Sequence, residues 1–159
     1  MLHIDAHRDL RVAPDGLAYS HASAVYNALR DVPAVERLVQ VGVRDFCEGE
    51  AALAESDSRV VSFAGFDLAA EMFRGTTWDA LCGRIVEALP ERVYVSFDID
   101  GLEPGCCPHT GTPVPGGLTF DQAVWLLDRL VRSGRRIIGF DAVEVASAGA
   151  ARIDAIAGA

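Results

Sequence analysis

Two short segments hold most of the residues able to do chemistry. Near the start, Leu2 to Asp9 reads LHIDAHRD and sets Asp5, His7 and Asp9 at i, i+2 and i+4. Far along the chain, Val93 to Gly117 reads VYVSFDIDGLEPGCCPHTGTPVPGG, with Asp98 and Asp100 two apart. Side chains two apart on an extended chain point the same way, so each segment collects its polar groups on one side. Carboxylates closing an apolar strand are costly to desolvate unless a positive partner meets them. A metal ion is the natural partner. Oxygen-rich donors with a single imidazole, and no thiolate set, suit Mn²⁺, Mg²⁺ or Zn²⁺. Five candidate ligands are more than one ion usually takes, which points to a two-metal centre with bridging carboxylates.

The chain around these segments has 159 residues and is half hydrophobic, enough for one domain over 1–159 with a single sizeable core. Its 14 basic and 23 acidic residues leave a net charge of −9. That balance disfavours a nucleic-acid partner, so none is expected, and mildly favours a small cation. No apolar run is long enough to span a bilayer, so no membrane partner is expected and the cytoplasm is the expected compartment. Cys47, Cys82, Cys106 and Cys107 show no C-x-x-C spacing. A bridge between the vicinal pair would be strained, which favours reduced thiols.

The elements that must position the two segments alternate. Strands are expected at Leu2 to Ile4, Leu38 to Val43, Arg59 to Phe63, from Val93, and over Arg136 to Val145. Helices are expected over Ala24 to Arg30 behind Ser23, Glu48 to Glu55, Leu68 to Arg74, and Trp78 to Leu89 with Thr76 as a loose cap. A further helix, Phe120 to Arg132, has a Thr119/Gln122 capping box and Gly134 at its end. The last residues allow a short helix over Ala151 to Ala157. Alternation of this kind predicts a three-layer α-β-α fold around a parallel sheet of about five strands. Ligands in such sheets collect at the carboxyl ends of strands, where both segments lie.

HIDAHRDLR, SFDIDGLEPGCCPHTGTPVPGG and GFDAVEV together resemble the arginase–agmatinase (ureohydrolase) family over Leu2 to about Val145. The resemblance implies hydrolysis of guanidino or related amidino groups at a centre of two Mn²⁺ ions. It implies that Asp5 and Asp98 bridge the metals, that His7 and Asp100 complete one ion's ligands, and that Asp9 serves the other. Glu144 matches the carboxylate that pairs with the substrate guanidinium, and His21 falls about where a histidine shuttles protons. His109 and Thr112 are candidate substrate contacts. His3 is expected to alternate away from Asp5 and face the opposite layer. The implied sheet order is five-four-one-two-three.

The family carries an upstream G-G-D-H segment whose histidine ligates the first metal, and nothing before Met1 corresponds to it. The resemblance therefore implies a chain lacking the family's N-terminal part, with a weakened first metal site. It also implies an open edge at the fifth strand, which invites a homo-oligomer. The slight similarity of VEVA to the agmatinase branch favours agmatine over arginine, formiminoglutamate or guanidino acids. The alternatives are a catalytically inactive fragment or a metal- and guanidine-binding module.

Overall fold

The computed structural model describes residues 1–12 and 16–146. Five parallel strands form one sheet: β1 (Leu2–Ile4), β2 (Leu38–Val41), β3 (Val60–Phe63), β4 (Arg92–Asp98) and β5 (Arg136–Val143). The order β3-β2-β1-β4-β5 is the expected one, read from its other edge. The helices between them are α1 (Ala24–Asp31), α2 (Glu48–Ser56), α3 (Gly65–Phe73), α4 (Trp78–Glu87) and α5 (Phe120–Arg132). The chain winds outward from β1 to β3, then returns across β1 to β4. Right-handed crossovers place helices on opposite faces when the winding direction reverses. Leu68, Leu81, Ile85, Leu126 and Leu130 of α3, α4 and α5 accordingly pack with Leu2, Ile4, Val39, Val41, Val95 and Phe97. On the other face, Val25 and Leu29 of α1 join Leu10 and Leu38 in a smaller cluster. Each large aliphatic side chain fully buried here contributes about 1.5–3 kcal/mol.

Boundaries differ from expectation where local signals compete. The capping box forms as read: Thr119 Oγ1 accepts from Gln122 N at 3.1 Å, and Gln122 Oε1 accepts from Thr119 N at 2.9 Å. The cap of α4 is Thr77 rather than Thr76, its hydroxyl accepting from Ala80 N at 3.2 Å. Ser23 stands at the N-cap of α1 without a side-chain capping bond. Helix α3 starts at Gly65, three residues before the expected Leu68, because glycine gives little helical signal. β2 stops at Val41, where Gly42 turns the backbone with φ +90°. The expected helix over 151–157 lies outside the described residues. No helix among the described residues is long and apolar enough to cross a membrane.

Strand β5 closes one edge, and Ile137, Ile138, Phe140 and Val143 are all exposed there. The winding reverses at β1, between β2 and β4, and the carboxyl ends around such a switch point are where an open α/β sheet binds ligands.

Candidate metal centre

The first segment leaves β1 at Ile4 and continues beside β2, with Asp5 N donating to Val41 O at 3.2 Å. Asp5 is 2 % exposed. Its Oδ1 accepts from His7 N at 2.6 Å, and its Oδ2 lies 2.9 Å from His3 Nε2. His7 Nδ1 stands 3.1 Å from Asp100 Oδ2 and 3.4 Å from Asp5 Oδ1. Asp9 takes a left-handed conformation, φ +55°.

The second segment arrives along β4. Asp98 closes the strand and its Oδ1 accepts from Asp100 N at 2.8 Å, which folds the next residues into a 3₁₀ turn, Ile99–Gly101. Asp100 thus reaches the site from a turn rather than from the extended chain that its spacing suggested. Its Oδ1 accepts from Ala6 N at 3.0 Å, stitching the two segments across 94 residues, and its Oδ2 accepts from Thr112 Oγ1 at 3.3 Å. Gly101 makes the approach possible: a Cβ there would stand 2.9 Å from Asp5 N.

Arg44, just past β2, braces the loop that follows. Its Nη2 donates to Asp100 O at 2.7 Å, Leu102 O at 3.1 Å and Val114 O at 2.9 Å. Its Nη1 reaches Gly42 O at 3.1 Å and Gly101 O at 3.4 Å, and its Nε reaches Val114 O at 3.3 Å and Pro115 O at 3.1 Å. One guanidinium therefore ties the loop after β4, at residues 100–102 and again at 114–115, to the end of β2.

The packing of acidic groups distorts their titration. Burial, then the charges of Asp5 and Asp100, push the Asp98 carboxyl up to about 9. Burial and the Asp5 charge push Asp9 up to about 7. Hydrogen bonds with Asp100 and Asp5 raise His7 to about 10. Burial works against ionised Asp5, but His3 and His7 overcome it and hold this carboxyl well below the usual range. A set that keeps protons on carboxyl groups at neutral pH is one whose crowding a divalent cation relieves. Within it, Asp5, His7 and Asp100 offer ligand atoms within 4.8 Å of one another, as do His3, Asp5 and Asp9. The donor set fits a hard or borderline divalent ion.

A cavity of about 490 Å³ opens over this cluster, and His7, Asp9, Asp98, Asp100, Thr112, His21 and Glu144 all line it. Asp5 lies buried behind them. Glu144 has φ +59°, and it and Asp9 are the two non-glycine residues of positive φ among the described residues. Strain of this kind gathers at functional sites. Glu144 rests against the GTPVPGG loop, since a Cβ on Gly111 would come within 3.2 Å of its Oε2. His109 is exposed and is not among the lining residues.

His3 departs from expectation. Residues 3 and 5 share parity on an extended chain, so His3 faces the same side as Asp5 and touches it. Three other residues went unread in the sequence: Arg44, Asp45 and Glu50. Asp45 sits on the cavity rim 3.9 Å from His7 Nε2, and buried Glu50 accepts from Leu10 N at 3.1 Å and Cys47 N at 3.0 Å. The available signals were polar or charged residues directly after or within apolar runs, as with Gln40 in LVQV.

The chain is 39% identical over 150 residues to the N(1)-aminopropylagmatine ureohydrolase of Thermus thermophilus, covering 94% of this chain and 47% of that protein. It is 37% identical over 149 residues to the agmatinase of Chromobacterium violaceum, covering 92% and 42%. Among solved structures, a hypothetical agmatinase from Burkholderia thailandensis superposes with a TM-score of 0.73 at 33% identity, over 98% of this chain and 46% of that one. The arginase of Bacillus caldovelox shares the fold, with a TM-score of 0.77 at 24% identity, over 97% and 55%. The chain spans about half the length of the relatives it matches. The family model for the arginase family matches residues 1–159. This chain belongs to the arginase family.

Proposed function

We propose that this chain carries manganese-dependent ureohydrolase chemistry in the cytoplasm, hydrolysing the C–N bond of a linear, cationic guanidino compound of the agmatine class and releasing urea. The observation that supports it most is the convergence of Asp5, His7, Asp9, Asp98 and Asp100, from segments some ninety residues apart, beneath one cavity that Glu144 also lines. Asp5 and Asp98 would be shared between two ions, with His7 and Asp100 on one and Asp9 on the other. When bound, the ions supply the Lewis acidity that makes water a nucleophile at neutral pH. Glu144 offers a carboxylate to a guanidinium, a pairing that is bidentate and directional. Thr112 steadies Asp100 through its hydroxyl, and His21, on the cavity lining, would pass a proton to the departing amine.

Urea release from agmatine, arginine and other linear guanidines, with added Mn²⁺, tests the reading. Turnover is expected with agmatine, and Glu144→Gln should abolish guanidine binding while leaving Mn²⁺ uptake intact. Silence on every guanidine would refute it. A second reading, metal and guanidine binding without turnover, draws on the same convergence of ligand groups with Glu144 over one cavity, which suffices for binding. Two Mn²⁺ bound without urea release would favour it.

A further inference from the structure

Five residues side by side in the sheet are polar. Ser62, Gln40, His3, Ser96 and Asp141 stand in register on β3, β2, β1, β4 and β5, forming a row that crosses every strand. The residues alternating with them are apolar: Leu2, Ile4, Val39, Val41, Val95 and Phe97. Polar groups inside a sheet oppose folding unless their bonds are satisfied, and nothing in the chemistry proposed above uses this row.

The row's first half leads to Asp5. Arg8 Nη1 donates to Ser62 Oγ at 2.8 Å and to Gln40 Oε1 at 3.1 Å, and its guanidinium lies 4.3 Å from the centre of the Phe46 ring. With Oε1 committed to an arginine, the Gln40 amide has one orientation. Its Nε2 donates to Arg8 O at 2.8 Å and faces His3 Nδ1 at 3.2 Å. Nδ1 must then present a lone pair, which leaves the ring proton on Nε2, 2.9 Å from Asp5 Oδ2. A proton on Nδ1 would set two donors face to face, so the Gln40 geometry selects the Nε2–H tautomer.

We propose that His3 is a positioning residue: a fixed Nε2–H donor that orients the Asp5 carboxylate for a cation, its tautomer imposed by Gln40 and Arg8. Its Nε2 is turned onto Asp5 Oδ2 and it does not line the cavity, so its place is behind Asp5 rather than among the ligands. The inference rests on Asp5 holding a cation, as read above, and is independent of the substrate.

The test pairs Mn²⁺ titration with nitrogen-15 NMR of the imidazoles. His3→Leu should weaken Mn²⁺ binding by about 10–100-fold, the usual effect of removing a partner that orients a metal ligand. His3→Gln, which keeps an N–H at similar reach, should restore most of it. The metal-free wild type should show His3 as the neutral Nε2–H tautomer, and Gln40→Leu should release that preference. A doubly protonated or Nδ1–H ring in the wild type would overturn the proposal. So would His3→Leu binding Mn²⁺ as the wild type does, or His3→Gln binding no better than His3→Leu. A wild type that takes up no Mn²⁺ would sink the metal reading itself, and this inference with it.

Discussion

Replacing Arg44 by methionine keeps the aliphatic bulk and removes every side-chain donor that ties the loop after β4 to the end of β2. The guanidinium serves six carbonyl oxygens: those of Gly42, Asp100, Gly101, Leu102, Val114 and Pro115. Hydrogen bonds from a charged donor contribute about 1.5–3 kcal/mol each, and breaking a fully buried charged network costs about 3–5 kcal/mol. Arg44 is only half-buried, so water can take over some of the carbonyls. A net loss of about 3 kcal/mol follows, and at roughly 2–4 °C per kcal/mol for a chain of this size the melting midpoint should fall by roughly 6–12 °C. Circular dichroism melts measure that loss. Mn²⁺ titration of the same variant at low temperature should show weaker binding, because the Asp100 backbone loses its anchor while Asp100 itself remains. Arg44→Lys, a point charge with a smaller fan of donors, should fall between the two. If Arg44→Met melts within a degree or two of the wild type and binds Mn²⁺ equally well, the bracing role assigned to Arg44 is wrong.

Three further outcomes follow from the geometry. Metal uptake should strengthen as pH rises from 7 to 8, since protons held by His7 (about 10) and Asp98 (about 9) must leave before a cation enters; calorimetry in buffers of different ionisation enthalpy should count about two protons released, and none released would contradict the assigned ligands. Gly101→Ala should destabilise the chain by about 1–3 kcal/mol and impair Mn²⁺ binding, because its Cβ would meet Asp5 N at 2.9 Å, and backbone on both sides cannot yield; an unchanged melt would refute it. Self-association through the exposed β5 edge should appear in sedimentation at high concentration and vanish with Ile138→Lys, whereas a lysine variant that associates equally would place the contact elsewhere.

The sheet order was implied by the family resemblance; the alternation of strands and helices, the helix capped by Thr119 and Gln122, and the meeting of two acidic segments were legible in the sequence itself. They depend on local signals: alternation of elements, a three-residue capping spacing, carboxylates closing apolar runs. What was not legible depends on partners brought together by the fold. Arg44 reads as one more charge after a strand, and nothing local announces that its donors will meet carbonyls of residues 100 to 115. The left-handed backbones of Asp9 and Glu144 have no residue signature, since neither is glycine. His3 was readable by parity alone, yet a histidine in an apolar strand draws attention only once Gln40 and Asp5 are seen on either side of it. His109, prominent in its loop, is exposed outside the lining of the cavity, because a turn rich in glycine and proline fixes a direction that spacing does not reveal.

The bond from Ala6 N to Asp100 Oδ1 also dictates when the centre can exist. Its two halves lie 94 residues apart in the chain, and β1 gains its second neighbour only when β4 docks against it. A nascent chain cut short before Asp98 therefore holds Asp5, His7 and Asp9 without a counterpart. On the proposed metal reading, cation capture follows the docking of β4 rather than seeding it.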